Sequence, residues 1–156
     1  VKLDDREEYT PGWKFNEWEL RGVPLRIELG PRELEQDQAV LVARDGEGGK
    51  RPTPLVGIVD AVARELEAVQ RRMFERAQTF LRSHTFAPTS LEEAVELIRQ
   101  RRGFVRLPWC LDQGCEDRVR EETGGSPRVI PEEAPSGSCL VCGRPAQAVV
   151  YFARAY

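Results

Sequence analysis

The chain has 156 residues, 40% of them hydrophobic, enough for one ordinary domain or two small ones with modest cores. Its 26 acidic and 23 basic residues give a net charge of −3, which excludes a generic polyanion binder held on by a basic surface. No apolar run approaches the roughly 20 residues of a membrane-spanning helix, so no membrane span is expected. Any role with nucleic acid must therefore rest on a local site. The charged opening VKLDDREE lacks a leader pattern. A cytoplasmic location follows as the expectation, with the four cysteines kept as thiols by reducing conditions. The chain has no initiator Met and starts in mid-element, as a piece of a longer protein would.

In chain order, TPGWKFNEWELRG (10–22) predicts a short helix, with Thr10 as N-cap, Pro11 at the first helical position and Gly22 ending it. VPLRIEL (23–29) alternates strictly. Val23, Leu25, Ile27 and Leu29 share one face and Pro24, Arg26 and Glu28 the other, as in a half-buried strand that Gly30-Pro31 breaks. AVLVAR (39–44) reads as a second strand, followed by a DGEGGK turn that can close a hairpin. From about Pro54 to Ser83, Val59, Val62, Leu66, Val69, Met73, Ala77 and Phe80 recur at helical spacing. A helix of that length is suited to connecting two domains.

HTFAP (84–88) marks the expected boundary, giving domains 1–84 and 85–156. Ser90 and Glu93 form a capping box opening a helix to about Arg102, and FVRLPW (104–109) is a strand. Residues 121–138, rich in Gly, Pro, Ser and Glu, read as a loop. AQAVVYFARAY closes the chain as a strand.

The cysteines fall in two close pairs, Cys110 and Cys115 in CLDQGC and Cys139 and Cys142 in CLVC. Such paired spacing is the pattern of a tetrahedral zinc site, since zinc accepts soft thiolate donors in whatever tetrahedron two knuckles impose. Gly114 and Gly143 are expected to ease the two turns. His84 is distant in sequence, so four sulfurs are the natural ligand set, which leaves no open position and makes the metal structural. The competing readings are two disulfides, a redox dithiol pair or simply buried cysteines.

The aromatic helix has two faces. At about 100° per residue, Trp13 and Leu20 fall together, while Phe15 and Trp18 fall opposite with Glu19 beside Phe15. The expectation is that Phe15 and Trp18 lie away from the helix's own sheet, with Arg26 near Glu19. A ring, a carboxylate and a guanidinium in one patch can receive an unstacked guanine. The ring stacks, Glu accepts from the Watson–Crick edge, and Arg donates to O6 and N7. The bland alternatives are a helix between structural layers and an ordinary surface Glu–Arg pair.

The run Thr10-Pro11-Gly12-Trp13-Lys14-Phe15, then Glu17-Trp18-Glu19 and Gly22-Val23-Pro24-Leu25-Arg26, closely resembles the anticodon-binding domain of prolyl-tRNA synthetases, archaeal and eukaryotic type. The cysteine pairs and VVYFARAY resemble the zinc-binding domain that follows it. The resemblance implies an α/β anticodon-binding domain with a mixed sheet flanked by helices, of class IIa synthetase type and lacking its first strand and helix, then a small α+β zinc-binding domain. It implies Phe15, Glu19, Arg26 and Lys14 as readers of the guanines of proline tRNA. The full-length enzyme would be a homodimer that attaches proline to tRNA using ATP and Mg²⁺. No catalytic motif lies on this segment, and the Tyr156 carboxylate would turn towards the absent catalytic domain. The alternative is a non-catalytic RNA-binding accessory protein built on the same module.

Overall fold

The computed structural model describes residues 1–47, 49–100 and 103–155. The chain forms two units, Val1–Ala77 and Gln78–Tyr156.

The first unit opens with an extended segment leading into α1 (Pro11–Leu20). Thr10 caps α1 as expected, its Oγ1 accepting from the Trp13 N–H at 3.4 Å. Gly22, at φ +85°, takes the left-handed turn after the helix that a side chain would resist. β1 (Leu25–Glu28), β2 (Gln38–Ala43) and β3 (Lys50–Pro54) form an antiparallel sheet in that order. The mixed pairing lies in the second unit.

Between β1 and β2 sits α2 (Pro31–Glu35), where only a break was expected. Gly30-Pro31 does stop the strand, but Pro31 then occupies the first helical position, where its missing N–H costs nothing. The DGEGGK turn does close a hairpin. Its second arm is the Pro-rich KRPTP, tolerated because β3 is an edge strand. The long helix α3 (Ile58–Ser83) therefore begins later than expected.

Register decides what each face of this sheet does. Leu25, Ala43, Ile27, Leu41, Ala39, Arg51 and Thr53 alternate onto one side, where Ala39 and Leu41 are buried. Among the described residues, Val69 and Glu65 of α3 are the others buried in this unit. Arg26, Glu28, Val40, Val42 and Lys50 share the opposite side.

The second unit carries a mixed four-stranded sheet in the order β4-β5-β7-β6, formed by Thr85–Phe86, Phe104–Trp109, Ala148–Arg154 and, at the edge, Gly125–Val129. β4 runs parallel to β5, and the other pairs are antiparallel. α4 (Leu91–Gln100) starts on the expected cap, with the Glu93 N–H donating to Ser90 Oγ at 3.1 Å. The Glu93 carboxylate accepts from the Thr89 N–H, one residue earlier than the expected box. The predicted continuation to Arg102 falls outside the described residues. α5 (Gln113–Thr123) takes in the second half of the turn expected at the first cysteine pair, and its end together with β6 takes up the start of the stretch read as a loop. Leu91, Ala94, Ile98, Val105, Leu107, Val119, Val150 and Phe152 make the core.

Candidate functional site

In the second unit the two cysteine pairs meet. Cys110 directly follows β5, and Cys115 rides the first turn of α5, which Asp112 caps through its carboxylate and the Gly114 N–H at 2.9 Å. Gly114 is thus helical, and the expected easing of the first turn falls instead to Leu111, at φ +61°. In the second turn Gly143 does the predicted work, at φ +75°, with its N–H donating to the Cys139 carbonyl at 2.8 Å.

All four Sγ atoms lie within 4.8 Å of one another. Cys110 Sγ is 3.7 Å from that of Cys115 and 3.5 Å from that of Cys142. Those separations are far beyond the roughly 2 Å of an S–S bond, so the disulfide reading fails. They do match the edge of a tetrahedron with metal–sulfur bonds of about 2.3 Å, which is about 3.8 Å. Cys110, Cys115 and Cys139 are buried against Trp109 and Val141, and Cys142 is exposed. The group can hold a metal ion, and its donors are those a thiophilic divalent ion prefers.

Arg144 stands at the rim of this cluster. Its Nε lies 3.3 Å from Cys142 Sγ, and its Nη2 lies 3.6 Å from Cys110 Sγ and 2.8 Å from Asp112 Oδ2. The guanidinium brings the Cys142 thiol down to about 6, whereas burial pushes Cys115 up to about 12. Four sulfurs this close need a cation among them to ionise together. Neither Arg144 nor Asp112 was picked out by sequence reasoning, although Asp112 sits inside the first cysteine pair and Arg144 two residues past the second.

In the first unit Phe15, Glu19 and Arg26 come together. The Arg26 guanidinium lies 4.0 Å from the centre of the Phe15 ring. Its Nη1 donates to Glu19 at 2.6 Å and its Nε to Glu28 at 3.0 Å, and Glu28 also takes Lys50 at 2.7 Å. The placement differs from expectation in one respect. Phe15 leans over β1, while Trp13 and Leu20 are the exposed pair, because a cation on the strand offers the ring a partner that solvent does not. Glu28 and Lys50 extend the patch. Sequence reading placed Glu28 on the right side of the strand but could not place Lys50 without the register of a third strand.

Lys14 is not in the patch. Its Nζ reaches the Asp4 carbonyl at 3.4 Å, within a separate network on the other flank of α1. There Arg6 joins Asp4 at 2.7 Å and Glu17 at 2.5 Å, Arg21 also takes Glu17, and the Trp18 indole N–H donates to Asp4 at 2.7 Å. The Arg6 contacts hold both carboxyls below their usual range. Tyr9 and Trp13 stack at 3.9 Å beside them. Tyr156 lies outside the described residues.

Residues 1–65 match the family described as an anticodon binding domain, and residues 91–156 match the C-terminal domain of prolyl-tRNA synthetase. Over its whole length the chain is similar to three proline–tRNA ligases. It is 45% identical to that of Natranaerobius thermophilus, 48% to that of Symbiobacterium thermophilum and 38% to proline–tRNA ligase 2 of Clostridioides difficile. It spans 33% of the length of each of these relatives. They are bacterial, so the archaeal and eukaryotic affiliation drawn from the resemblance is not borne out.

Proposed function

We propose, from the premise that this chain is the carboxy-terminal region of a prolyl-tRNA synthetase and carries its anticodon-binding domain, that it reads the anticodon of proline tRNA through the Phe15–Glu19–Arg26 patch. The observation that carries this reading is the Arg26 guanidinium lying on Phe15 while paired to Glu19. An unstacked guanine can take the place of the guanidinium over the Phe15 ring, stacking there while Arg26 moves to its edge. Glu19, whose side chain is half exposed, offers its carboxylate to N1–H and N2–H₂, and Arg26 offers Nη2 to O6 or N7. Glu28 holds Arg26 from the sheet side and is itself paired to the exposed Lys50, which is free to meet a flanking phosphate. Lys14 contributes from the Asp4 side of the helix as a backbone contact.

The whole protein is, on this reading, a cytoplasmic homodimeric proline–tRNA ligase. Its catalytic domain binds proline, ATP and Mg²⁺ and lies beyond this segment. Recognition belongs to residues 1–84. Residues 85–156 form the domain held by Zn²⁺ on Cys110, Cys115, Cys139 and Cys142, where the ion supplies a closed structural crosslink.

The test is binding of this chain to proline anticodon stem-loops and to versions with one guanine replaced. Glu19→Ala and Arg26→Ala should each lose about 1–3 kcal/mol for the native loop and narrow the gap to the altered one. Unchanged affinity together with unchanged preference would remove these two residues from the site.

A further inference from the structure

The two cysteine pairs belong to separate segments, one at the junction of β5 and α5 and the other in the turn before β7. Something must hold them in register before an ion can bind four sulfurs at once. Backbone contacts do part of this. The Cys139 N–H donates to the Arg144 carbonyl at 2.8 Å and shapes the second turn, while the Gln147 N–H donates across the two segments to the Trp109 carbonyl at 2.8 Å. Neither reaches the sulfur of Cys142, the one exposed ligand.

The side chain of Arg144 does. It crosses from the second turn to the first, touching Cys142 through Nε and both Cys110 and Asp112 through Nη2. Asp112 is itself fixed, because it caps α5 one turn ahead of Cys115. We infer that Arg144, anchored on Asp112, is a positioning residue for the four-cysteine metal centre, setting the exposed Cys142 sulfur against Cys110 and retaining the ion. The inference rests on the reading of the cluster as a metal site.

The charge of the centre calls for such a group. Four thiolates around a divalent cation leave two negative charges, three of the sulfurs being shut away from water. A guanidinium on the open edge offsets that charge without being buried. It also forms directed N–H···S contacts that steady the sulfur most exposed to competing ligands. Only a planar fork reaches two sulfurs and a carboxylate together, so lysine should replace it poorly.

The experiment follows release of Zn²⁺ from the loaded 156-residue chain to a chromogenic chelator, in parallel with the thiolate-to-cobalt charge-transfer band of the Co²⁺ form. Arg144→Gln should release the ion about 10–100-fold faster and shift the cobalt band. Arg144→Lys should fall between it and the parent. Asp112→Asn keeps a helix-capping side chain while breaking the ion pair, and should move release in the same direction by a smaller factor. Thermal unfolding of the metal-free forms should be alike. If the parent loads and Arg144→Gln matches it in both release and spectrum, the positioning role is overturned while the metal centre stands. A parent chain that takes up neither ion overturns both. Should Arg144→Gln not fold, Arg144→Lys and Asp112→Asn decide the matter on the same readouts.

Discussion

Glu65 shows how a single residue can be asked to do two jobs. It is 6% exposed, yet it is ionised, held by Arg72 at 2.9 Å and by Arg51 across from β3. Burial pushes its carboxyl up, but the hydrogen bonds from the two guanidinium groups outweigh that, and the net shift is downward. The folded state therefore binds its proton less readily than the unfolded chain. The stability Glu65 supplies is complete above the ordinary carboxyl range of about 4–4.5 and is lost as pH falls through the lower folded value. Glu65→Gln should cost about 1–3 kcal/mol at neutral pH, the worth of hydrogen bonds to a charged group. That gap should narrow as the pH falls below the ordinary carboxyl range. Urea midpoints of both proteins at neutral and acid pH check this, and a gap undiminished in acid would contradict it.

At the scale of elements, legibility followed the period of the apolar residues. α3, α4, β1, β2, β5 and β7 were read because ordinary hydrophobes recur along them at helical or strand spacing. α5 was not, and the reason is chemical. Its buried stripe is Cys115, Val119 and Thr123, so one ligand and one hydroxyl stand where a pattern search wants leucines. Thr123 is satisfied by donating to the Val119 carbonyl at 2.6 Å, and its Oγ1 accepts from the Gly125 N–H at 2.9 Å. β6, spelled GSPRV, carries no alternation and owes its strand form to its pairing with β7.

The sites divide in the same way. The cysteine set and the meeting of Phe15, Glu19 and Arg26 followed from spacing and family likeness. Arg144 and Lys50 needed tertiary register.

A glycine guards one of these junctions. Gly103 precedes β5, and a methyl there would run into the His84 carbonyl oxygen, which accepts the Phe104 N–H at 2.8 Å and starts the β4–β5 pairing. The obstacle is backbone, which cannot swing aside. Gly103→Ala should therefore destabilise the second unit by about 1–3 kcal/mol, measured as a lowered denaturant midpoint. An unaltered midpoint would mean the parallel pairing is not held where the structure places it.

Across the molecule the two units are stabilised by different means. The second has a contiguous apolar core with the cysteine cluster beside it, sharing Trp109 and Val141 as neighbours. The first, among its described residues, buries only Ala39, Leu41 and Val69 as hydrophobes, and is laced by chains of ion pairs. Metal removal should accordingly act on the second unit. Structural zinc typically contributes on the order of 10 kcal/mol or more, so a strong chelator should abolish amide-exchange protection in α4, α5 and β5. Protection in β2 should persist. Retained protection in α5 without metal would argue that the core holds this unit unaided.

The patch on the first unit has a property set by its bookkeeping of signs. Glu19 and Glu28 cancel Arg26 and Lys50, so the cluster is neutral before any nucleotide arrives. If it reads the anticodon as proposed, a surface of that kind would displace few condensed counterions on docking, and its grip would hardly weaken as ionic strength rises. It would then discriminate by fit, under conditions where a basic groove would let go of right and wrong loops alike.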